Sequence, residues 1–158
     1  MSSTTADQHR DHETIRRLIE DLSPFAKLAG LSMVTAQPMV RVKLPQQPGN
    51  LTALGSISAS AVFTLAETCA SAACLSAFGA SVIFECKTAQ IDFRRPGTGE
   101  LEAVAMVSAT DAVVCLQDLE TGGVAQAHVV VEVLDEESHA VATAQVTFEV
   151  RRTNDTLR

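Results

Sequence analysis

The chain has 158 residues, 46% hydrophobic and 20% charged, a balance that suits one compact soluble domain with a core and a charged surface. Its net charge of −7 comes without any basic stripe to offset it, which excludes nucleic acid as an expected partner. Six Phe stand with no Trp and no Tyr, so the large amphipathic rings of sugar- or base-stacking platforms are missing, and a small or aliphatic ligand suits the composition better.

The segment Met1 to Asp11 is polar and lacks an apolar run after basic residues, so it does not read as a secretory signal and a cytoplasmic protein is expected. Residues 1–12 and 153–158 read as flexible tails around a single domain over 13–152. Ile15, Leu18, Ile19 and Leu22 make one stripe of an amphipathic helix. Ser23 and Pro24 then suit the cap and first position of a short helical turn running to Gly30. Leu31 to Leu44 alternates loosely around Pro38 and reads as a hairpin, and Pro45 to Leu54 reads as a loop.

Ile57 to Phe78 predicts a helix that is apolar around most of its circumference, with Gly79 placed to cap it. It is long enough to cross a bilayer, which takes about 20 residues. Glu67 at its midpoint, its scattered Ser and Thr and the absence of basic flanks instead predict the buried central helix of a soluble fold, with no membrane span.

Beyond it the period changes to two. Ala89, Ile91 and Phe93 alternate with polar residues, as do Leu101 to Val107, Val129 to Val133 and Ala142 to Val150, so each stretch predicts a strand. Pro96 to Gly99 and Asp135 to Ser138 read as turns, and 109–123 as a short helix stopped by Gly122 and Gly123. One hydrophobic helix followed by a run of strands predicts an α+β layer in which an antiparallel sheet wraps the helix. A single helix cannot cover such a sheet completely, so its other face or an edge is expected to meet a second copy.

Cys69, Cys74, Cys86 and Cys115 lack metal or redox spacing and read as buried free thiols. His9 and His12 have no further ligands for a metal site, and His128 and His139 lack the partner spacing of a triad. Glu67 is the chemical signal. An ionised carboxylate inside an apolar helix is costly unless it is paired or faces a pocket. Ser60, Thr64, Glu67 and Ser71 step by four, three and four, which lays three hydroxyls and the carboxylate along one side of the helix. Two readings follow: a pair with an Arg from a strand or a helix edge reaching solvent, or a carboxylate facing a pocket with hydroxyls to orient a water or a carbonyl.

The run Gly55-Ser56-Ile57-Ser58-Ala59-Ser60-Ala61-Val62-Phe63-Thr64-Leu65-Ala66-Glu67-Thr68 resembles the helix-opening motif of hotdog-fold acyl-CoA thioesterases of the phenylacetate-pathway, PaaI-like type. That motif reads Gly-x-x-His-Gly-Gly, then apolar residues, then Leu-Ala-Asp or Leu-Ala-Glu. The likeness extends over roughly 24–152, including a strand ending Asp92-Phe93-Arg94-Arg95-Pro96-Gly97 and paired late strands around an acidic turn. It implies a hotdog fold, an antiparallel sheet wrapped around one long helix, working as a homodimer or homotetramer with the pocket between protomers. It also implies thioester hydrolysis, with coenzyme A present only as part of the substrate and no other cofactor or metal.

By the same resemblance Glu67 takes the place of the carboxylate that attacks the thioester or activates water. Ala59 takes the place of the Gly whose N–H polarises the carbonyl, a donor any residue at a helix start can supply. Ser71 takes an orienting position, and Arg94 and Arg95 fall where related proteins place charges near coenzyme phosphates. Substrate contacts are further expected from Asn50, Thr52, Ser58, Ser60 and Thr64. The sequence departs from the family pattern in two places: Ser58 replaces the motif His, and Thr52, with Asn50 nearby, stands where a polar amide is expected. These departures motivate an alternative, a non-catalytic hotdog module that binds acyl-CoA or serves in assembly. A dehydratase of the same fold would need an Asp and His pair that the segment lacks.

Overall fold

The computed structural model describes residues 12–17, 19–20 and 23–153. The expected flexible tails, and Leu18 and Leu22 of the first predicted stripe, lie outside them apart from His12 and Thr153. Helix α1, residues 12–17 and 19–20, sends buried Ile15 into the core while Arg16 and Arg17 bond Glu13 on its polar side. Helix α2, Pro24–Leu28, starts on Ser23, whose hydroxyl accepts the Ala26 N–H at 3.4 Å.

The hairpin follows as β1, Ser32–Thr35, and β2, Val40–Leu44, in antiparallel register Met33 to Val42. Helix α3, Ala59–Phe78, begins on Ser58, whose Oγ accepts the Ala61 N–H at 3.3 Å, and ends at Gly79, whose φ of +68° is a left-handed conformation suited to glycine. The helix starts two residues later than the apolar run predicts, because Ile57 is held extended by bridges to Leu51 and Gly97.

Strand β3, Val82–Phe93, leads to β4, Leu101–Ala105. Helix α4, Ala109–Gly122, intervenes before β5, Val124–Leu134, and β6, Ala140–Arg152. The six strands form one antiparallel sheet in the order β1-β2-β4-β5-β6-β3. Period two survives in the packing: alternate residues of β5 from Ala125 to Val133 and of β6 from Ala144 to Val150 are buried under α3, and their neighbours face outward.

Leu65 of α3 and Leu44, Leu101 and Phe148 of the sheet are all nearly or fully buried. Among the described helices only α3 is long and apolar enough to cross a membrane, and the sheet wraps it. Helix α4 closes one end through buried Cys115 and Leu119.

Three expectations change. Val107 lies beyond β4, in the connection to the Ser108 cap of α4. β3 starts at Val82, well ahead of the alternation visible from Ala89, because a bulge between Cys86 and Thr88 breaks the period-two pattern. Cys86 is exposed rather than buried, on β3, an edge strand with no strand beyond it.

Candidate active site

The loop entering α3 is pinned from several sides. Buried Asn50 donates both amide N–H bonds, to the carbonyls of Ala29 and Pro45 at 2.9 Å, and its own carbonyl accepts the Ser58 N–H at 2.8 Å. The Ile57 N–H reaches the Gly97 carbonyl at 2.8 Å, which ties the end of the β3–β4 connection to the helix start. Between these posts Thr52 to Gly55 makes a turn, closed by the Gly55 N–H on the Thr52 carbonyl and the Thr52 N–H on the Ser56 carbonyl. Gly55, at φ +83°, supplies its left-handed residue.

Asn50 is therefore a buried post of the loop, with its side-chain donors spent on backbone carbonyls inside the fold. Thr52 is exposed, but its hydroxyl pairs with Ser56 at 3.0 Å within the turn. Ser58 caps the helix and lies 3.2 Å from the Ser60 hydroxyl. Ala59 is the first helical residue, so its N–H has no carbonyl one turn back inside the helix and the positive helix end surrounds it.

Further along the same helix, half-buried Glu67 accepts a hydrogen bond from the Ser71 hydroxyl at 3.0 Å. Thr64, one turn earlier, turns its hydroxyl back onto the Ser60 carbonyl at 2.8 Å. Among the described residues no Lys or Arg forms an ion pair with Glu67. The strand-Arg pairing that the sequence left open is thus not made. Arg94 and Arg95 instead leave the end of β3 with both N–H groups directed at the Val141 carbonyl, at 2.8 and 3.3 Å, and with exposed side chains. The Gly97 tie puts this pair at the Ala59 end of α3. Backbone N–H bonds from His139 and then Glu137 hold the Asp135 carboxyl low, and Arg95 adds a smaller effect.

The site thus has two parts on one helix. Ser58, Ala59, Arg94 and Arg95 gather at its N-terminal end; Glu67 and Ser71 sit at its middle. Eight residues separate Ala59 from Glu67, about 12 Å along the axis. Two neighbours of Glu67 escaped the sequence reading. Phe63 lies one turn before it and is 39% exposed, and the i, i+4 spacing could have flagged it. Cys86 faces it from β3: partial burial first, and the Glu67 carboxylate second, push its thiol up. The bulge beside Cys86 hid that side of the strand.

Comparison with known proteins bears on the family and the fold. The family model for a domain of unknown function, DUF4442, matches residues 12–150. A Pseudomonas aeruginosa protein of unknown function, named a probable thioesterase, is 29% identical, with 89% of this chain and 95% of that one aligned at a TM-score of 0.80. The Escherichia coli PaaI protein from the phenylacetic acid degradation operon is 19% identical over 92% and 94% of the two chains, at a TM-score of 0.67. A Haemophilus influenzae thioesterase is 13% identical over 87% and 90%, at 0.66. A comparison with curated proteins finds no match. The sheet wrapped around α3 is a hotdog fold of the thioesterase-like kind.

Proposed function

The chain belongs to the DUF4442 family, and from its site we propose that it is a thioesterase hydrolysing an acyl-CoA, with Glu67 as general base or nucleophile. The observation that carries this reading is Glu67 itself: a half-buried carboxylate in an apolar helix, bonded to Ser71 and without an ion-pair partner among the described residues. As general base, Glu67 takes a proton from a water as its oxygen adds to the thioester carbonyl carbon. The oxyanion forms on a backbone N–H, for which Ala59 is the candidate, and its collapse breaks the C–S bond while the proton passes to the leaving sulfur. Ser71 keeps the carboxylate oriented.

A carbonyl within hydrogen-bond reach of the Ala59 N–H, at about 3 Å, lies too far from the carboxylate of the same helix for attack, given the ~12 Å between them. The reading therefore pairs Glu67 of one protomer with the partner's Ala59. β3 suits the required second copy, being a long edge strand whose outward Lys87 is engaged by Glu85 at 3.4 Å and Glu149 at 3.7 Å instead of guarding the edge. Antiparallel pairing of two β3 strands would set two α3 helices side by side on one face, and further stacking would give a tetramer. Arg94 and Arg95, at the Ala59 end, would meet the coenzyme phosphates. The protein would work in the cytoplasm, with coenzyme A only as part of the substrate.

Ser58 favours one second reading, a module that binds acyl-CoA without turning it over. The serine stands where the resembled motif has His, and its hydroxyl is used as the helix cap. Loss of thioester absorbance over a panel of acyl-CoAs separates the two. Turnover that falls about 10²–10⁴-fold in Glu67→Gln supports the enzyme. Binding without turnover supports the module, and a Glu67→Gln variant as active as the parent sinks the mechanism.

A further inference from the structure

Helix α4 is attached to the fold along one side. Cys115 and Leu119 are buried and Ala112 is half-buried, while Val113 is 54% and Leu116 39% exposed. Ala109, Val113 and Leu116 recur at i, i+4 and i+7 and make one line along the helix, which Glu120 continues a turn later. Met106, 52% exposed, extends the apolar part of this line past the helix start. A helix that shows a second apolar stripe beside its buried one has a face left to cover.

The stripe leads into a hole. A cavity of about 270 Å³ lies between the start of α4, the last turns of α3 and the β1–β2 turn. Val40 and Ala73 are buried at its floor, and Ala77, Met106 and Ala109 stand exposed at its mouth. An apolar cavity of ~150 Å³ already accepts a benzene ring, so this one has room for a large aromatic side chain. Gln37 lines it too: its Nε2 donates to the Ser76 hydroxyl at 2.6 Å, and its amide oxygen accepts no bond among the described residues. The cavity is apart from the candidate active site, since Ser76 lies nine residues beyond Glu67, about 13 Å along the helix axis.

Charge selects the occupant. α4 carries Asp111, Asp118 and Glu120 but no Lys or Arg, and Glu120 sits at its negative C-terminal end. Among the described residues Glu120 reaches only Arg152, at 3.8 Å, an exposed pair of little worth. A second copy laid on α4 by its own α4 would bring one all-acidic helix against another, which like charges oppose. We propose that the stripe and the cavity form a docking groove for a basic amphipathic helix of another protein. An aromatic residue of that helix fills the cavity, and a Lys or Arg about three turns away meets Glu120, matching the ~16 Å from Ala109 to Glu120. The aromatic anchor carries most of the binding energy, and the cation sets the direction in which the helix lies.

The experiment titrates the full chain into fluorescein-labelled helical peptides with Leu on one face, Lys on the other and a single Trp at varied positions of the Leu face. Anisotropy should show saturable binding for members of this set, weakening as salt rises. Trp→Ala in the peptide should cost about 30-fold in affinity, the equivalent of ~2 kcal/mol. Exchanging its Lys for Glu should abolish binding. On the protein, Leu116→Lys, Glu120→Lys and Ala77→Leu each change an exposed residue of the groove and should weaken binding about tenfold or more, with melting like the parent's. Peptides that all fail to bind, or that bind equally well without the Trp, with Glu for Lys, or to the three variants, overturn the groove. Free indole that binds the parent but not Ala77→Leu, while no peptide binds, makes the cavity a small-molecule site and overturns it as well. A concentration-dependent dimer broken by Leu116→Lys gives the stripe to a second copy, with the same consequence.

Discussion

Gly97→Ala should damage the site from outside it. A Cβ built on Gly97 would sit 2.8 Å from Leu101 Cδ1, 3.3 Å from its Cδ2 and 3.4 Å from Val141 Cγ1. Leu101 is fully buried and Val141 is 1% exposed, so neither can swing aside. Apolar carbons rest about 3.5–4.0 Å apart, and the chain at residue 97 must therefore retreat by roughly 0.7–1.2 Å. That retreat acts on the 2.8 Å bond between the Ile57 N–H and the Gly97 carbonyl and stretches it beyond ordinary hydrogen-bond length.

Overpacking of this kind costs about 1–3 kcal/mol and the lost bond about 1 more, for a total of roughly 2–4 kcal/mol. In a domain of this size that lowers Tm by roughly 4–16 °C. Thermal and urea unfolding of Gly97→Ala measure it, with Gly49→Ala as the control because a Cβ there meets nothing within 4 Å. Because Ile57 adjoins the Ser58 cap, hydrolysis at a temperature where both proteins are folded should fall as well. A Gly97→Ala variant within 0.5 kcal/mol of the parent would refute the steric reasoning.

Thiol titration provides a second test. Burial pushes Cys69 and Cys74 up to about 12, and Cys115 is raised as well, while Cys86 alone is exposed, so at most one thiol per folded chain should react quickly at pH 8 and four after unfolding. A second fast thiol in the folded protein contradicts this packing. Asp135 accepts the backbone N–H groups of Glu137 at 3.0 Å and His139 at 2.8 Å, and these bonds hold its carboxyl below the usual range. A depressed carboxyl contributes stability that is complete above its unfolded value, about pH 4, and is lost as pH falls through the folded one. The stability gap between the parent and Asp135→Asn should thus narrow in urea melts taken from pH 5 downward, and a gap that stays constant counts against the turn bonds.

Much of the fold is legible in the residues because its signals are local. The Ser23 and Ser58 caps, the apolar run of α3 and the alternation in β5 and β6 each follow from periodicity or from a capping side chain within a turn or two. β3 was legible only in its second half: one extra residue at Lys87 reverses the facing of what precedes it, and an edge strand carries no strict requirement for apolar residues there. The site divides in the same way. Helical spacing alone puts Glu67 beside Ser71. Nothing local marks Asn50 as a post of the helix entrance: its bonds run to Ala29 and Pro45, and the Ala29 partner lies 21 residues away, where no local pattern reaches.

Asn50, Ser58 and Gly97 together show what the fold spends its polar groups on at the helix entrance. Three bonds, Ser58 N–H to Asn50, Ile57 N–H to Gly97 and Ala61 N–H to the Ser58 hydroxyl, fix the first turn of α3 from outside and inside. The turn's orientation is therefore set by main-chain and capping contacts that do not need a histidine at position 58. Such a site would lose whatever an imidazole at position 58 adds, yet keep a positioned backbone donor at Ala59 and an oriented carboxylate at Glu67. On this reasoning Ser58→Ala weakens the helix start, by about 1 kcal/mol as caps generally do, more than it alters the chemistry. Under the proposed mechanism the burden of catalysis would fall on Glu67 and on the backbone of a second copy.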